Sequence, residues 1–298
     1  MADCDAIIVN YNSGSLLSNC VASVLAARGR AIVVDNASSD DSIDMLTMKF
    51  GGMAGLMVIR NIRNLGFAAA CNIGAGVATA GHLLFLNPDS VLDRQSLAKM
   101  QFVLDSASDI GMVGAFLSDP DGSEQPGGRR VFPTPRRAFI RAFGLSRLGE
   151  WFPSLFSDFL LHKEPLPAEP AAVEAISGAC MLVKREAMED VGPWDEGYFL
   201  HCEDLDWCMR FRRKDWDILF VPDARIIHHQ GACSRSRPLF VEWHKHKGMM
   251  RFYRKFFRDR YPKPLWALVA FGVWLRFLMI ACYYGMRHVL TTVGVARG

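Results

Sequence analysis

Over the first 117 residues, short apolar runs alternate with amphipathic stretches. Ile7–Val9, Ala31–Val34, Leu56–Ile59, Leu83–Leu86 and Met112–Phe116 have the length and composition of buried strands, and helical periodicities lie between them. This alternation predicts parallel strands joined by crossover helices, with ligands bound beyond the carboxyl ends of the strands. Farther along, Ala175–Val183 predicts a strand, Glu203–Lys214 a helix and Ile218–Val221 another strand. The fold class expected is α/β, a Rossmann-like, mixed but mostly parallel sheet flanked by helices.

The pattern fades between 118 and 172. Gln125-Pro126-Gly127-Gly128-Arg129-Arg130 and Pro133, Pro135, Arg136 and Arg137 read as a long functional loop with some helix. Past 237 the pattern changes again. Lys245, Lys247, Arg251, Arg254, Lys255, Arg258, Arg260 and Lys263 alternate with Met249, Phe252, Tyr253, Phe256, Phe257 and Tyr261, which predicts a basic, aromatic amphipathic helix. Leu265–Met286 follows, about 22 mostly apolar residues, the length of a membrane span. Arg276 falls near its middle, where an arginine costs about 3 kcal/mol on insertion scales. A helix lying in or dipping into the bilayer face is therefore favoured over a span, and a helix pair packed on the core is the alternative.

Composition narrows the function. Half of the 298 residues are hydrophobic, enough for a substantial core, and a net charge of +3 argues against a general nucleic-acid binder. The eight cysteines are scattered, form no C-x-x-C pair and follow no export signal, a usage that fits a reducing cytosol. His201, Cys202, Cys208 and His228 match no standard zinc spacing.

The candidate chemistry collects at strand ends. The first strand runs into Asn10-Tyr11-Asn12, the second into Asp35-Asn36, the third precedes Asn61 to Gly66, and the fourth ends in Asn87-Pro88-Asp89. Asp35 can accept hydrogen bonds from a ribose or base, with Ser39 or Asp40 left to cap the next helix. Asp89 can hold Mg²⁺ or Mn²⁺ together with substrate phosphate oxygens, or simply close an Asn-Pro-Asp turn. One of His228 and His229 can add an imidazole to the same ion. Glu203 and Asp204 open a helix, where a carboxylate serves either as a cap or as a general base. Asp206 and Arg210 are spaced for a surface ion pair on that helix. Trp194-Asp195-Glu196-Gly197-Tyr198-Phe199 offers the aromatic faces and carboxylates that bind sugars, or an ordinary tight turn.

Taken in order, these pieces resemble the family 2 glycosyltransferases, inverting enzymes of the GT-A fold, over roughly residues 5 to 235. The resemblance is carried by Val9-Asn10-Tyr11-Asn12, Val33-Val34-Asp35-Asn36-Ala37-Ser38-Ser39-Asp40, Asn64-Leu65-Gly66-Phe67 with Asn72, Leu86-Asn87-Pro88-Asp89, Ser177-Gly178-Ala179, Phe199 to Asp206, and His228. It implies a donor pocket from Asn10, Tyr11, Asn12, Asp35, Asn36, Asn64, Gly66 and Asn87, and a divalent cation (Mg²⁺ or Mn²⁺) at Asp89 and His228. It further implies Asp204 as catalytic base and an acceptor side including Gly178, Trp194, Asp195 and Glu203. Where the family usually has Asp-x-Asp, this chain has Asn87-Pro88-Asp89, one carboxylate fewer. That variant, with Asp121-Gly122 through Arg130 and Pro133, looks like the rhamnosyltransferase-like branch, which implies dTDP-L-rhamnose as donor and a polyprenyl-linked or other membrane-associated glycan as acceptor, in cell-wall or polysaccharide synthesis. A UDP-sugar donor, or an inactive nucleotide- or carbohydrate-binding scaffold, are the alternatives.

The organisation expected is a glycosyltransferase domain over 1–237, with a nucleotide-binding half at 1–117 and an acceptor-side half at 118–237, and a membrane-associating helical tail over 238–298. The tail implies a peripheral or monotopic place on the cytoplasmic side of the cell membrane, against inner-leaflet anionic lipid. A homo-oligomer is compatible with the sequence.

Overall fold

The computed structural model describes residues 4–137, 159–229, 231 and 237–295. Strands β1 (Cys4–Asn10), β2 (Arg30–Asp35), β3 (Leu56–Arg60) and β4 (His82–Leu86) alternate with helices α1 (Ser15–Ala26), α2 (Ser42–Phe50) and α3 (Phe67–Val77). Then come β5 (Ser90–Leu92), α4 (Arg94–Leu104), β6 (Ile110–Ser118), β7 (Arg129–Arg130), β8 (Ala171–Ala172), β9 (Ala175–Ile176) and β10 (Cys180–Lys184). Helices α5 (Arg185–Val191) and α6 (Glu203–Arg213), strand β11 (Asp217–His228), and helices α7 (Pro238–Phe257) and α8 (Lys263–Val295) complete the order.

The main sheet runs β3-β2-β1-β4-β10-β6-β11-β5, with β8 added beside β11. Its first four strands are parallel, in the register Ile7↔Ile32, Ile7↔Phe85 and Val34↔Ile59. Their carboxyl ends therefore share one edge, as the alternating pattern predicts. Side chains in a strand alternate between faces, and here both faces are covered. Ile7, Val9, Ile32, Val34 and Phe85 pack toward α3 and α6, whereas Ile8, Val33, Leu84 and Leu86 pack toward α1 and α4. Two-sided burial is why these strands read as unbroken apolar runs.

Three differences from the sequence expectation matter for the site. Ala175–Val183 is two strands: β9 pairs with β7, whereas β10 runs antiparallel between β4 and β6. The break at Ser177-Gly178-Ala179 lets the chain change partners, with the Ser177 amide donating to Gly128 O and the Asn87 amide to Ala179 O. Ser90–Leu92 is a further strand, antiparallel to the end of β11, with Ser90 opposite His228. β11 itself runs on to His228 past an irregularity between Val221 and Arg225, around Pro222, which cannot donate to the ladder.

The tail differs as well. The aromatic side of α7, Phe252, Tyr253, Phe256 and Phe257, is buried in the same core as Phe85 and Trp207 rather than presented to lipid. The close approach needs Gly248, where a Cβ would stand 2.6 Å from the carbonyl oxygen of His201. Beyond a short turn, α8 folds back along α7: Trp274 and Phe277 meet Trp243, and Arg276 Nη1 lies 2.9 Å from His246 Nε2 and 3.7 Å from Glu242. The arginine expected at mid-membrane is thus held against α7. The outer side of α8, with Leu268, Phe271, Leu278 and Met279, is exposed, and Lys263–Arg287 is long and apolar enough by composition to cross a membrane. Of the long loop expected between 118 and 172, residues 138–158 lie outside the described residues.

Candidate active site

At the ends of β1 and β2 lies a tight set of hydrogen bonds. Asn10, fully buried, donates through Nδ2 to Asp35 Oδ1 (2.8 Å), Ser38 Oγ (3.0 Å) and Ser42 Oγ (2.9 Å), and its Oδ1 accepts from Ser13. Asn10 therefore orients Asp35 from behind. Tyr11 and Asn12 follow at the rim, both partly exposed. Asn12, at φ 52°, accepts from the Ser39 amide (2.7 Å), and Asp40 accepts from the Gly14 amide (2.8 Å), which ties the loop after β1 to the loop after β2.

Asn36 carries the tie to the next loop. Its Nδ2 donates to Gly66 O (3.0 Å), and its Oδ1 accepts from Asn61 (2.8 Å). Asn64 closes its own turn by accepting from the Gly66 amide (2.9 Å). Gly66 sits at φ 87°, and a Cβ there would lie 2.6 Å from Phe199 O, an approach that only glycine permits. The donor-side loop is thereby fastened to the segment leading into α6.

At the end of β4, Asp89 is buried, and its Oδ1 has no hydrogen-bond donor. His228 Nε2 lies 3.2 Å from that oxygen and 3.4 Å from Asn87 Nδ2. Behind the imidazole, Nδ1 lies 2.7 Å from Gln125 Oε1, and Gln125 Nε2 donates to His228 O (2.6 Å) and Asp119 Oδ1 (2.8 Å). A buried carboxylate oxygen without a donor beside an imidazole nitrogen is a donor set that fits Mg²⁺ or Mn²⁺ completed by substrate phosphate oxygens and water. Among the described residues no third His, Cys, Asp or Glu joins the pair.

Asp204 lies two residues into the chemistry of α6. Its Oδ2 accepts from the Arg130 guanidinium and from the Gly178 amide (3.2 Å), and Oδ1 accepts from the Leu205 amide (2.8 Å). Burial pushes the Asp204 carboxyl up, but the Arg130 charge and these donors outweigh it and hold it below the usual carboxylate range. Its neighbour behaves oppositely. Glu203 is buried with Oε2 unpartnered, and burial, reinforced by the Asp204 charge, pushes it up to about 8. His201 and Cys202, just before this pair, both adopt positive φ (68° and 71°), strained backbone of the kind found at functional sites. Because Ala179 O holds the Asn87 amide while the Gly178 amide holds Asp204, two consecutive residues link the Asp89 turn to the carboxylate on α6.

Other expected acceptor residues stand elsewhere. Trp194 is 2% exposed, its ring packed on Phe67, Phe85 and Trp207, so its aromatic face belongs to the core. Asp195 is held by Arg251 (2.7 Å) and Lys255 (2.8 Å) of α7; burial raises its pKa, but the two cations outweigh this and bring it to about 2. The Asp206–Arg210 pair exists at 2.8 Å, but Asp206 is fully buried rather than at the surface, bonded also to Lys255 (2.7 Å) and Tyr198 (3.1 Å). Sequence reasoning did not single out Gln125, Asp119 or Arg130 as site residues. The only signal was the Asp121-to-Pro133 stretch that contains or adjoins them.

Comparison with known proteins bears on the family and the fold. The sequence profile described as glycosyl transferase family 2 matches residues 5–192. The N-acetylglucosaminyl-diphospho-decaprenol L-rhamnosyltransferase of Mycobacterium tuberculosis is 29% identical over 78% of each chain. The dTDP-rhamnosyl transferase RfbF of Shigella flexneri is 24% identical over 98% of this chain and 95% of its own. Among solved structures, the mannosyltransferase PcManGT of Pyrobaculum calidifontis, in complex with GDP-Man and Mn²⁺, superposes with a TM-score of 0.57 at 16% identity, covering 99% of this chain and 79% of that one. That last likeness bears on the fold alone.

Proposed function

The chain belongs to glycosyl transferase family 2, and from that premise we propose that it moves L-rhamnose from dTDP-L-rhamnose onto a hydroxyl of a polyprenyl-linked glycan at the cytoplasmic face of the membrane. One observation carries the reading: the Asp89–His228 pair and Asp204 are joined through adjacent residues, Ala179 and Gly178, at the carboxyl edge of the sheet. The two relatives named for rhamnosyl transfer support the choice of sugar, and the decaprenol in one of those names supports the lipid.

The reaction is an in-line displacement with inversion. Asp204, kept ionised by Arg130, takes the acceptor proton as the oxygen attacks the anomeric carbon. Asp35, aligned by Asn10, binds the nucleoside, with Tyr11, Asn12, Asn36, Asn64 and Gly66 around it. Asp89 and His228 would hold a divalent cation, which supplies charge neutralisation for the departing diphosphate when bound. The outer side of α8 rests on the bilayer, with Arg276 turned away toward Glu242 and His246, and the exposed Arg254, Arg258 and Lys263 nearby meet anionic lipid at about 1 kcal/mol each.

Thermal-shift measurements with dTDP, UDP and GDP, each with and without Mn²⁺, test the donor, because a ligand that binds only the folded state raises the melting temperature. Selective stabilisation by dTDP that grows with Mn²⁺ is the expected result. Selectivity for UDP would replace the donor, and no response to any nucleotide would refute the reading.

A further inference from the structure

Gln125 touches neither the donor pocket nor Asp204, yet it is only 2% exposed and all of its amide is engaged. We infer that Gln125 is a positioning residue: it fixes the tautomer of His228 so that the Nε2 lone pair faces the cation site beside Asp89. This rests on the reading of Asp89 and His228 as the metal pair.

The argument follows from which groups can donate. Gln125 Nε2 has two partners, His228 O at 2.6 Å and Asp119 Oδ1 at 2.8 Å. A backbone carbonyl only accepts, and an ionised carboxylate only accepts, so an amide oxygen cannot occupy that place. The orientation of the amide is therefore determined, and the atom 2.7 Å from His228 Nδ1 is Oε1. Nδ1 must carry the proton. In the neutral ring, the opposite nitrogen is then an acceptor, and it is held 3.2 Å from Asp89 Oδ1, another acceptor that no hydrogen bond satisfies.

Asn87 Nδ2, 3.4 Å from His228 Nε2, offers that lone pair one long hydrogen bond, but the Nε2 and Oδ1 lone pairs still repel in a buried place, and a cation bound by both turns the repulsion into ligation. The frame holding Gln125 is rigid. Its own amide donates to Leu117 O (2.9 Å), and Asp119 closes a turn by accepting from the Gly122 amide (2.9 Å). A fixed acceptor behind the imidazole is the arrangement that orients a ligating histidine and strengthens it as a donor. The missing first carboxylate of the metal motif makes that support matter more, since His228 carries a larger share of the protein's grip on the ion.

Two measurements test this on the full chain. In ¹⁵N-labelled, metal-free wild type, above the pH range in which imidazole titrates, the ring resonances of His228, assigned by comparison with His228→Ala, should report the Nδ1–H tautomer. The Nε2–H tautomer overturns the proposal without recourse to any variant at Gln125. In the second, the affinity for dTDP is measured with and without Mn²⁺. The Mn²⁺-dependent gain should fall by about 10- to 100-fold in Gln125→Leu while the metal-free affinity stays unchanged. A gain lost in His228→Ala but intact in Gln125→Leu overturns the positioning role alone. No gain in the wild type overturns the metal reading along with it.

Discussion

Around the ends of β1 to β3 the polar groups are neutral or singly charged and already partnered: one amide, Asn10, serves Asp35, Ser38 and Ser42, and another, Asn36, bridges two loops. By contrast, Asp89 after β4, Arg130 on β7 and Glu203 on α6 are ionisable and incompletely partnered. Asp89 Oδ1, Arg130 Nε and Glu203 Oε2 are all buried without a hydrogen bond, and the backbone at His201 and Cys202 is strained. A buried polar atom without a partner costs free energy, so the two sides embody different strategies. In the function proposed above, the first side is preorganised for a nucleoside, which needs only hydrogen bonds, and the second would hold unsatisfied polar groups in reserve for a diphosphate and an acceptor that arrive with complementary groups.

The contrast breaks most directly at Asp204. Asp204→Asn keeps the shape but not the basicity, and transfer should fall by about 10²–10⁴-fold with dTDP affinity unchanged in a binding assay. Asp89→Ala should lower kcat/KM by at least about 10²-fold and remove the Mn²⁺-dependent part of dTDP binding; equal activity with and without Mn²⁺ in this variant and the wild type would contradict it.

Arg130→Met removes the cation that keeps Asp204 low and leaves burial to push it up. The acidic limb of the kcat profile should then move to higher pH. An unmoved limb would mean that Arg130 serves only to pack.

Glu203 gives the opposite pH signature. Its folded value of about 8 lies above the unfolded one, so its contribution is fully present below about pH 4.3 and is lost as pH rises toward 8. Glu203→Gln should therefore raise Tm relative to wild type above pH 8 and leave it unchanged near pH 4.

On the donor side the smallest effect is expected. Asn10→Ala leaves Asp35, Ser38 and Ser42 without their shared donor and should cost about 1–3 kcal/mol of stability in a denaturant titration, with no change in either pH limb.

Some of this was legible along the chain because it is local. An apolar run of four or five residues with a polar residue after it declares a buried strand and a strand-end position, and so Asp35 and Asp89 could be placed at the carboxyl edge, and Asp204 at the start of a helix, without a structure. Where two partners come from distant parts of the chain, nothing local distinguishes them. Gln125 meets His228 across 103 residues and Arg130 meets Asp204 across 74, and each looks like one polar residue in an irregular stretch. The same limit explains Trp194, whose aromatic ring suits a sugar or a core equally well until Phe85 and Trp207 are seen against it.

The hydrophobic period by itself determined the order of the first four strands and the helices between them, their shared carboxyl edge and the amphipathic character of 238–257, since those follow from spacing along one chain. Tertiary structure alone decided what each amphipathic face meets. Water is excluded equally by lipid and by protein, so the aromatic side of α7 could announce burial but not its partner, and only the fold directs it into the core while leaving the outer side of α8 exposed. Tertiary structure likewise decided the protonation states of the site, because burial and opposing charge act through space: Arg130 holds Asp204 down while the same enclosure pushes Glu203, one residue away, up.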